Sequence, residues 1–174
     1  MLDIQINKIS ISDIYQLQEI SKMTFYESFS AGNTEENMAK YLEEEFSIKK
    51  LGAELIDINS EFYFASMVDK IIGYIKLNFG PSQTELKENH ALEIERIYVL
   101  KEFYGKNIGQ LLYNKAIQIA ELKKLDYVWL GVWEENPRAI NFYKKNGFEE
   151  FDKHLFKLGN EEQTDIMMKL KLNK

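Results

Sequence analysis

Two stretches of the chain hold residues whose types and spacing can do chemistry. Over residues 94–112 a β-branched strand runs into a tight turn, Tyr104-Gly105-Lys106-Asn107-Ile108-Gly109, and then, from Gln110, into a long amphipathic helix. Strand, small-residue loop and helix N-terminus in immediate succession aim several backbone N–H groups at a phosphate. The turn is too short for a Walker loop and lacks the glycine triplet of a dinucleotide fold. Just before it, Glu93 and Glu95 alternate onto one face of the strand, so two carboxylates flank the site. The second stretch, Asn136-Pro137-Arg138-Ala139-Ile140-Asn141-Phe142-Tyr143-Lys144-Lys145-Asn146-Gly147-Phe148, lies one strand–helix unit downstream. On a helix, Asn136, Ala139 and Tyr143 share a face because they sit three and four residues apart.

The elements that must position these residues follow from periodicity. Leu2, Ile4 and Ile6 alternate with polar neighbours as a half-buried strand does. Ser12 or Asp13 can cap a helix through Ile14, Leu17, Ile20 and Phe25, and residues 30–33 read as a loop. Thr34 caps a second helix through Met38, Tyr41, Leu42 and Glu45, and a short third one passes through Ile48, Leu51 and Leu55. Strands at 62–68 and 71–79 flank Asp69-Lys70 as a hairpin, and Gly80-Pro81 opens a polar loop to His90. After the first stretch, the helix runs to about Lys124. A buried-looking strand over 127–133 precedes Asn136 and Pro137, a helix cap and first position, and Gly147 supplies the left-handed stop. Strands over 148–158 and 164–170 close the chain around the turn at Gly159. Strands joined through one helix should be parallel and those joined by tight turns antiparallel, which makes a mixed sheet with a right-handed βαβ unit around the phosphate-facing turn.

Composition narrows the field. At 174 residues a single domain over 1–174 is expected, long enough to bury its own core. With no cysteine, disulfides, thiolate metal sites and a cysteine nucleophile are all excluded. A net charge of −6 argues against non-specific nucleic-acid binding, which needs a basic surface. No apolar run approaches the roughly 18 residues of a spanning helix, and the N-terminus lacks a signal-peptide pattern, so no membrane partner and a cytoplasmic protein are expected. His90 and His154 read as surface or loop histidines, so no metal site is expected.

Taken together, the two stretches resemble the GCN5-related N-acetyltransferase (GNAT) family, which moves acetyl groups from acetyl-CoA to amines. The Asn-x-x-Ala-x-x-Phe-Tyr-x-x-x-Gly-Phe pattern is complete. In the loop pattern Gln/Arg-x-x-Gly-x-Gly/Ala, the aligned residues are Tyr104, Asn107 and Gly109. Asn107 can adopt the positive φ that the usual glycine supplies, but Tyr104 cannot copy an Arg or Gln side-chain contact. Across nearly the whole chain, including residues 93–99, 129–134 and 159–165, the sequence also looks like the bacterial spermidine/spermine N-acetyltransferases of the PaiA kind.

The resemblance implies an α/β (α+β) GNAT-like fold, with a central mixed, mostly antiparallel sheet of about seven strands flanked by helices in the order βααα-ββ-βα-βα-ββ. It implies acetyl-CoA as co-substrate, held by Ile97, Tyr98, Val99, Tyr104, Gly105, Lys106, Asn107, Ile108, Gly109, Gln110, Asn136, Ala139, Tyr143 and Lys145. A backbone N–H of the 97–99 strand would hold the thioester carbonyl. Polyamines are protonated at neutral pH, with pKa values near that of lysine, about 10.4, so a base is needed. Glu95 is expected to accept the proton through a water, with Glu93 as understudy, and Tyr143 is the candidate acid. The acceptor is expected to be a small cationic amine such as spermidine or spermine, which Glu27, Glu35 and Glu36 would favour. The alternatives are a protein N-terminus, another small amine, or a CoA-binding regulatory protein with little turnover.

Overall fold

The computed structural model describes residues 3–173. In chain order the elements are β1 (Ile4–Lys8), α1 (Ile14–Phe29), α2 (Glu35–Glu45), α3 (Ile48–Ile56), β2 (Ser60–Met67), β3 (Lys70–Phe79), β4 (Ala91–Val99), α4 (Ile108–Leu122), β5 (Tyr127–Trp133), α5 (Pro137–Lys145), β6 (Glu149–Leu158) and β7 (Glu161–Lys171). The strands form a seven-stranded sheet ordered β1-β2-β3-β4-β5-β7-β6. Only β4 and β5 pair in parallel, because α4 carries the chain back between them. The expected mixed, mostly antiparallel sheet is therefore present, with β7 inserted between β5 and β6.

Local chemistry sets the element ends. Thr34 and Ser47 accept the N–H groups of Asn37 and Lys50 and start α2 and α3, each such cap being worth about 1 kcal/mol. The start of α1 differs from expectation. Ser10 opens a one-turn 3-10 segment, Ile11–Asp13, and the Asp13 carboxylate accepts from the Ser10 N–H at 2.8 Å instead of capping α1. The hairpin between β2 and β3 turns at Val68 and Asp69, one residue earlier than expected, with Val68 at φ 56°. Leu2, expected in the first strand, lies outside the described residues.

Alternation on the strands sorts the two faces of the sheet. Leu92 and Ile94 of β4 and Val128 and Leu130 of β5 are buried in the main core, which also takes Leu112 and Ala116 of α4. On the opposite face Phe62, Tyr74 and Tyr98 join α1–α3, where Phe25 lies 4.5 Å from Tyr41 and 5.6 Å from Phe46, ring centre to ring centre. That second face also carries a row of polar side chains: Lys76 and Asn78 of β3 opposite Glu93, Glu95 and Arg96 of β4. Among the described residues no helix is long and apolar enough to cross a membrane.

Candidate active site

The sheet comes apart along β4. Its parallel pairing with β5 runs only from Ala91 opposite Tyr127 to Glu93 opposite Trp129, whereas its ladder to β3 continues to Val99. Beyond Glu93, the edge of β4 that faces β5 therefore carries backbone groups with no strand partner. A bulge falls at the same place: Leu77 faces Ile94 and Lys76 faces Arg96, leaving Glu95 as the extra residue. An extra residue bends its strand and increases the local twist, which turns β4 away from β5. A cavity of about 650 Å³ fills the opening.

One end of this cavity is the loop into α4. Gly105 (φ 76°) and Asn107 (φ 65°) both take left-handed backbone, as expected of an asparagine standing in for glycine. Asn107 is the N-cap of α4, yet its side chain bonds none of the first-turn N–H groups. Those donors stay open, with the positive end of the helix dipole behind them. A Cβ placed on Gly105 or Gly109 would meet nothing within 4 Å, so there is room for a ligand against the backbone. The Gln110 side chain is already engaged, its Nε2 donating to Asn114 at 3.0 Å and to Asn146 at 2.9 Å, which ties α4 to the end of α5.

The middle of the cavity is walled by residues 97–99 of β4 and by α5. Asn136 Oδ1 accepts from the Ala139 N–H at 3.1 Å and fixes the start of that helix. Tyr143, 7% exposed, is reached from α5. Burial raises its hydroxyl above the ordinary tyrosine range, so it keeps its proton and can act as a hydrogen-bond donor into the cavity.

The other end is acidic. Glu93 is buried and accepts from the Thr84 N–H at 2.8 Å, the Thr84 hydroxyl at 2.5 Å and the Asn78 amide at 3.0 Å. Burial pushes its carboxyl up; the Thr84 and Asn78 hydrogen bonds pull the other way without cancelling the rise, and the Glu95 charge adds to it. Glu95, two residues on, has the opposite fate. It pairs with Lys76 at 2.6 Å and Arg96 at 3.4 Å and accepts from the same Asn78 amide at 2.6 Å. Burial would raise it, but the Arg96 and Lys76 charges outweigh that and hold it down to about 2. Glu54 of α3 completes this network, binding Arg96 through both oxygens at 2.8 and 3.0 Å and Lys76 at 3.2 Å. Asp165 of β7, His154 of β6 and Glu85 from the β3–β4 loop also line the cavity. Burial raises the Asp165 carboxyl, with His154 lowering it. Gly131 of β5 allows this convergence: a Cβ there would lie 3.3 Å from His154 Cε1 and 3.4 Å from Asp165 Oδ2.

Most residues expected to hold the cofactor line this one cavity: 97–99, 104, 105, 107–110, 136, 139 and 143. Lys106 and Lys145 do not. Lys106 lies over the Phe103 ring, 4.7 Å from its centre, and Lys145 is exposed. His154 corrects the reading of a surface or loop histidine, since it sits on a strand and faces the cavity. Thr84, Glu85, Arg138 and Asp165, which line the cavity, and Asn78, which bonds Glu93, were not singled out from sequence. Asn78 alone left a signal, a polar residue at the parity of Lys76 in an otherwise apolar strand.

A match to the acetyltransferase (GNAT) family spans residues 14–148. The chain belongs to that family. An uncharacterized N-acetyltransferase of Lactobacillus delbrueckii subsp. lactis is 37% identical over 97% of this chain and 98% of its own length. A spermidine N(1)-acetyltransferase of Thermoplasma acidophilum is 28% identical over 87% of this chain and 91% of its own. The crystal structure of PaiA N-acetyltransferase from Thermoplasma acidophilum in complex with coenzyme A matches with a TM-score of 0.81 and 26% identity, covering 98% of this chain and all of that one. This GNAT chain is thus an acetyl-CoA-dependent N-acetyltransferase, and its residues fit the co-substrate. The open amides at 107–110 suit a diphosphate, and the unpaired edge of β4 beside the Tyr143 hydroxyl suits a thioester.

Proposed function

We propose that this N-acetyltransferase acetylates a primary amine of a small polyamine of the spermidine or spermine type. The observation that carries the reading is the charge of the acceptor end. Glu85, Glu93 and Asp165 line it, no lysine among the described residues lines the cavity, and Arg96, which lines it too, is spent on Glu54 and Glu95. Such a surface favours a molecule carrying more than one ammonium group. The 28% identity to a spermidine N(1)-acetyltransferase supports the same choice.

Acetyl-CoA supplies an acyl group already activated as a thioester, so the chain has three tasks. Backbone N–H groups on the open edge of β4 stabilise charge on the carbonyl oxygen. Glu93 takes the proton whose loss frees the ammonium's lone pair for attack on the carbonyl carbon, and the second proton, shed once the nitrogen–carbon bond has formed, replaces the one that Tyr143 gives up. A base works best when its pKa approaches the working pH, and burial moves Glu93 that way, whereas ion pairing holds Glu95 near 2, far from it. The order expected from sequence is thereby reversed. Glu95 acts on its neighbour: its fixed negative charge helps keep Glu93 basic. Tyr143 donates to the sulfur as the carbon–sulfur bond breaks.

The test is thiol release from acetyl-CoA with spermidine, spermine, lysine, short peptides and a monoamine with an uncharged tail. The polyamines should give kcat/KM at least about tenfold above the monoamine and the peptides, a difference of about 1.4 kcal/mol. A preference for peptides would move the acceptor to a protein α-amine. CoA binding without release for any amine would make the chain a regulatory binder.

A further inference from the structure

The loop end of the cavity takes a strongly anionic group, yet its own side chains supply no cation there. Tyr104, Asn107 and Gln110 are neutral, and Lys106, whose ammonium lies over the Phe103 ring, does not line the cavity. A cation does arrive, from a different element. Arg138, at the second position of α5, places its guanidinium 3.8 Å from the centre of the Tyr104 ring, and both side chains line the cavity. No carboxylate lies within ion-pair distance of Arg138 among the described residues, so its charge is free for a ligand. Lys144, on the same helix, is by contrast paired with Glu150 at 2.9 Å. A planar guanidinium resting flat on an aromatic ring keeps its N–H edge pointing outward, which is the orientation that binds phosphoryl oxygens through two hydrogen bonds.

We infer that Arg138, held by stacking on Tyr104, binds the diphosphate of CoA and supplies the side-chain cation that the loop lacks. Tyr104 is then a platform, and its aromatic face matters where its hydroxyl does not. The diphosphate is assigned because Tyr104 belongs to the same turn as the left-handed Gly105 and Asn107, whose open amides face that group. This inference rests on the use of CoA and is independent of which amine is acetylated.

It is tested by calorimetric titration of the folded protein with CoA and with 3′-dephospho-CoA, without any acceptor. Arg138→Ala should weaken both ligands about tenfold, and Tyr104→Ala should weaken both in the same direction. Tyr104→Phe should leave both unchanged. Lys144→Ala, on the same helix but ion-paired with Glu150, should also leave both unchanged. In the Arg138→Ala background, Tyr104→Arg should recover affinity by returning a cation to the turn. Unchanged binding in Arg138→Ala would overturn the assignment. A loss seen with CoA but not with 3′-dephospho-CoA would also overturn it, placing Arg138 on the 3′-phosphate instead. Because the readout is binding, a failed acceptor assay leaves this result interpretable.

Discussion

At the loop end of the cavity the binding groups are main-chain amides, exposed because Gly105 and Asn107 adopt left-handed backbone and no side chain caps α4, with Arg138 as the side-chain cation. At the opposite end they are carboxylates from three elements, Glu93 on β4, Glu85 before it and Asp165 on β7. The main-chain part of the first end is local: six consecutive residues make it, and a glycine or asparagine at each special position suffices. The second is assembled across the sheet and depends on register, on a bulge and on the missing side chain of Gly131. One cavity thus offers donors to an anion and acceptors to a cation, with an unpaired strand edge between them. Within the acidic end the same contrast recurs at short range. Glu93 and Glu95 share the Asn78 amide, but one is kept basic by burial and the other is locked in an ion-pair network.

The strongest way to break that contrast is Tyr143→Phe paired with Glu93→Gln, since each removes one group from a different side of the reaction. Glu93→Gln should lower kcat by about 10²–10⁴, the usual worth of a general base, with KM for acetyl-CoA unchanged. Its thermal stability at pH 7 should equal or exceed the parent's. Glu93 titrates higher in the fold than in the unfolded chain, so the fold binds the extra proton and loses stability as pH rises through that range. Tyr143→Phe should lower kcat about 10- to 100-fold, the worth of one hydrogen bond to a charged group, while the Kd for CoA stays put. Equal losses in both quantities would make the hydroxyl a binding group.

Smaller effects sharpen the division. Asp165→Asn should raise KM for a polyamine about tenfold and leave KM for a monoamine nearly unchanged, as steady-state kinetics on both substrates will report. Glu95→Gln should change kcat by only a few fold, yet cost about 1–3 kcal/mol in denaturant unfolding at pH 7, because Lys76 and Arg96 lose a partner in a buried network. The sign with pH follows from its depressed carboxyl. The stability Glu95 confers is present above the carboxylate's ordinary value of 4.5 and is lost as pH falls toward about 2. Glu95→Gln should therefore flatten the acid-unfolding profile in that window.

What could be read from the chain and what could not divide along the same line. The helices and strands showed in periodicities of 3.6 and 2, and Asn136-Pro137 and Asn146-Gly147 marked the ends of α5 as the structure has them. The loop end was legible because its geometry is set by neighbours in sequence. The acidic end was not. Glu93 and Glu95 have the same residue type and the same strand, and it takes the bulged register with β3 to bring Lys76 to Glu95 and the fold of the β3–β4 loop to bring Thr84 to Glu93. His154 and Asp165 become neighbours through the β6–β7 ladder, which no local pattern announces. Arg138 was invisible for a related reason: its contact with Tyr104 spans two elements.

The central claim is that Glu93, rather than Glu95, takes the amine's proton at the acidic end of the cavity. The most direct measurement is the pH dependence of kcat/KM for thiol release with spermidine in the parent, Glu93→Gln and Glu95→Gln. The parent should gain activity as pH rises through the raised Glu93 value, Glu95→Gln should keep a rising limb of the same shape, and Glu93→Gln should lose it. A limb that survives in Glu93→Gln and vanishes in Glu95→Gln would contradict the account.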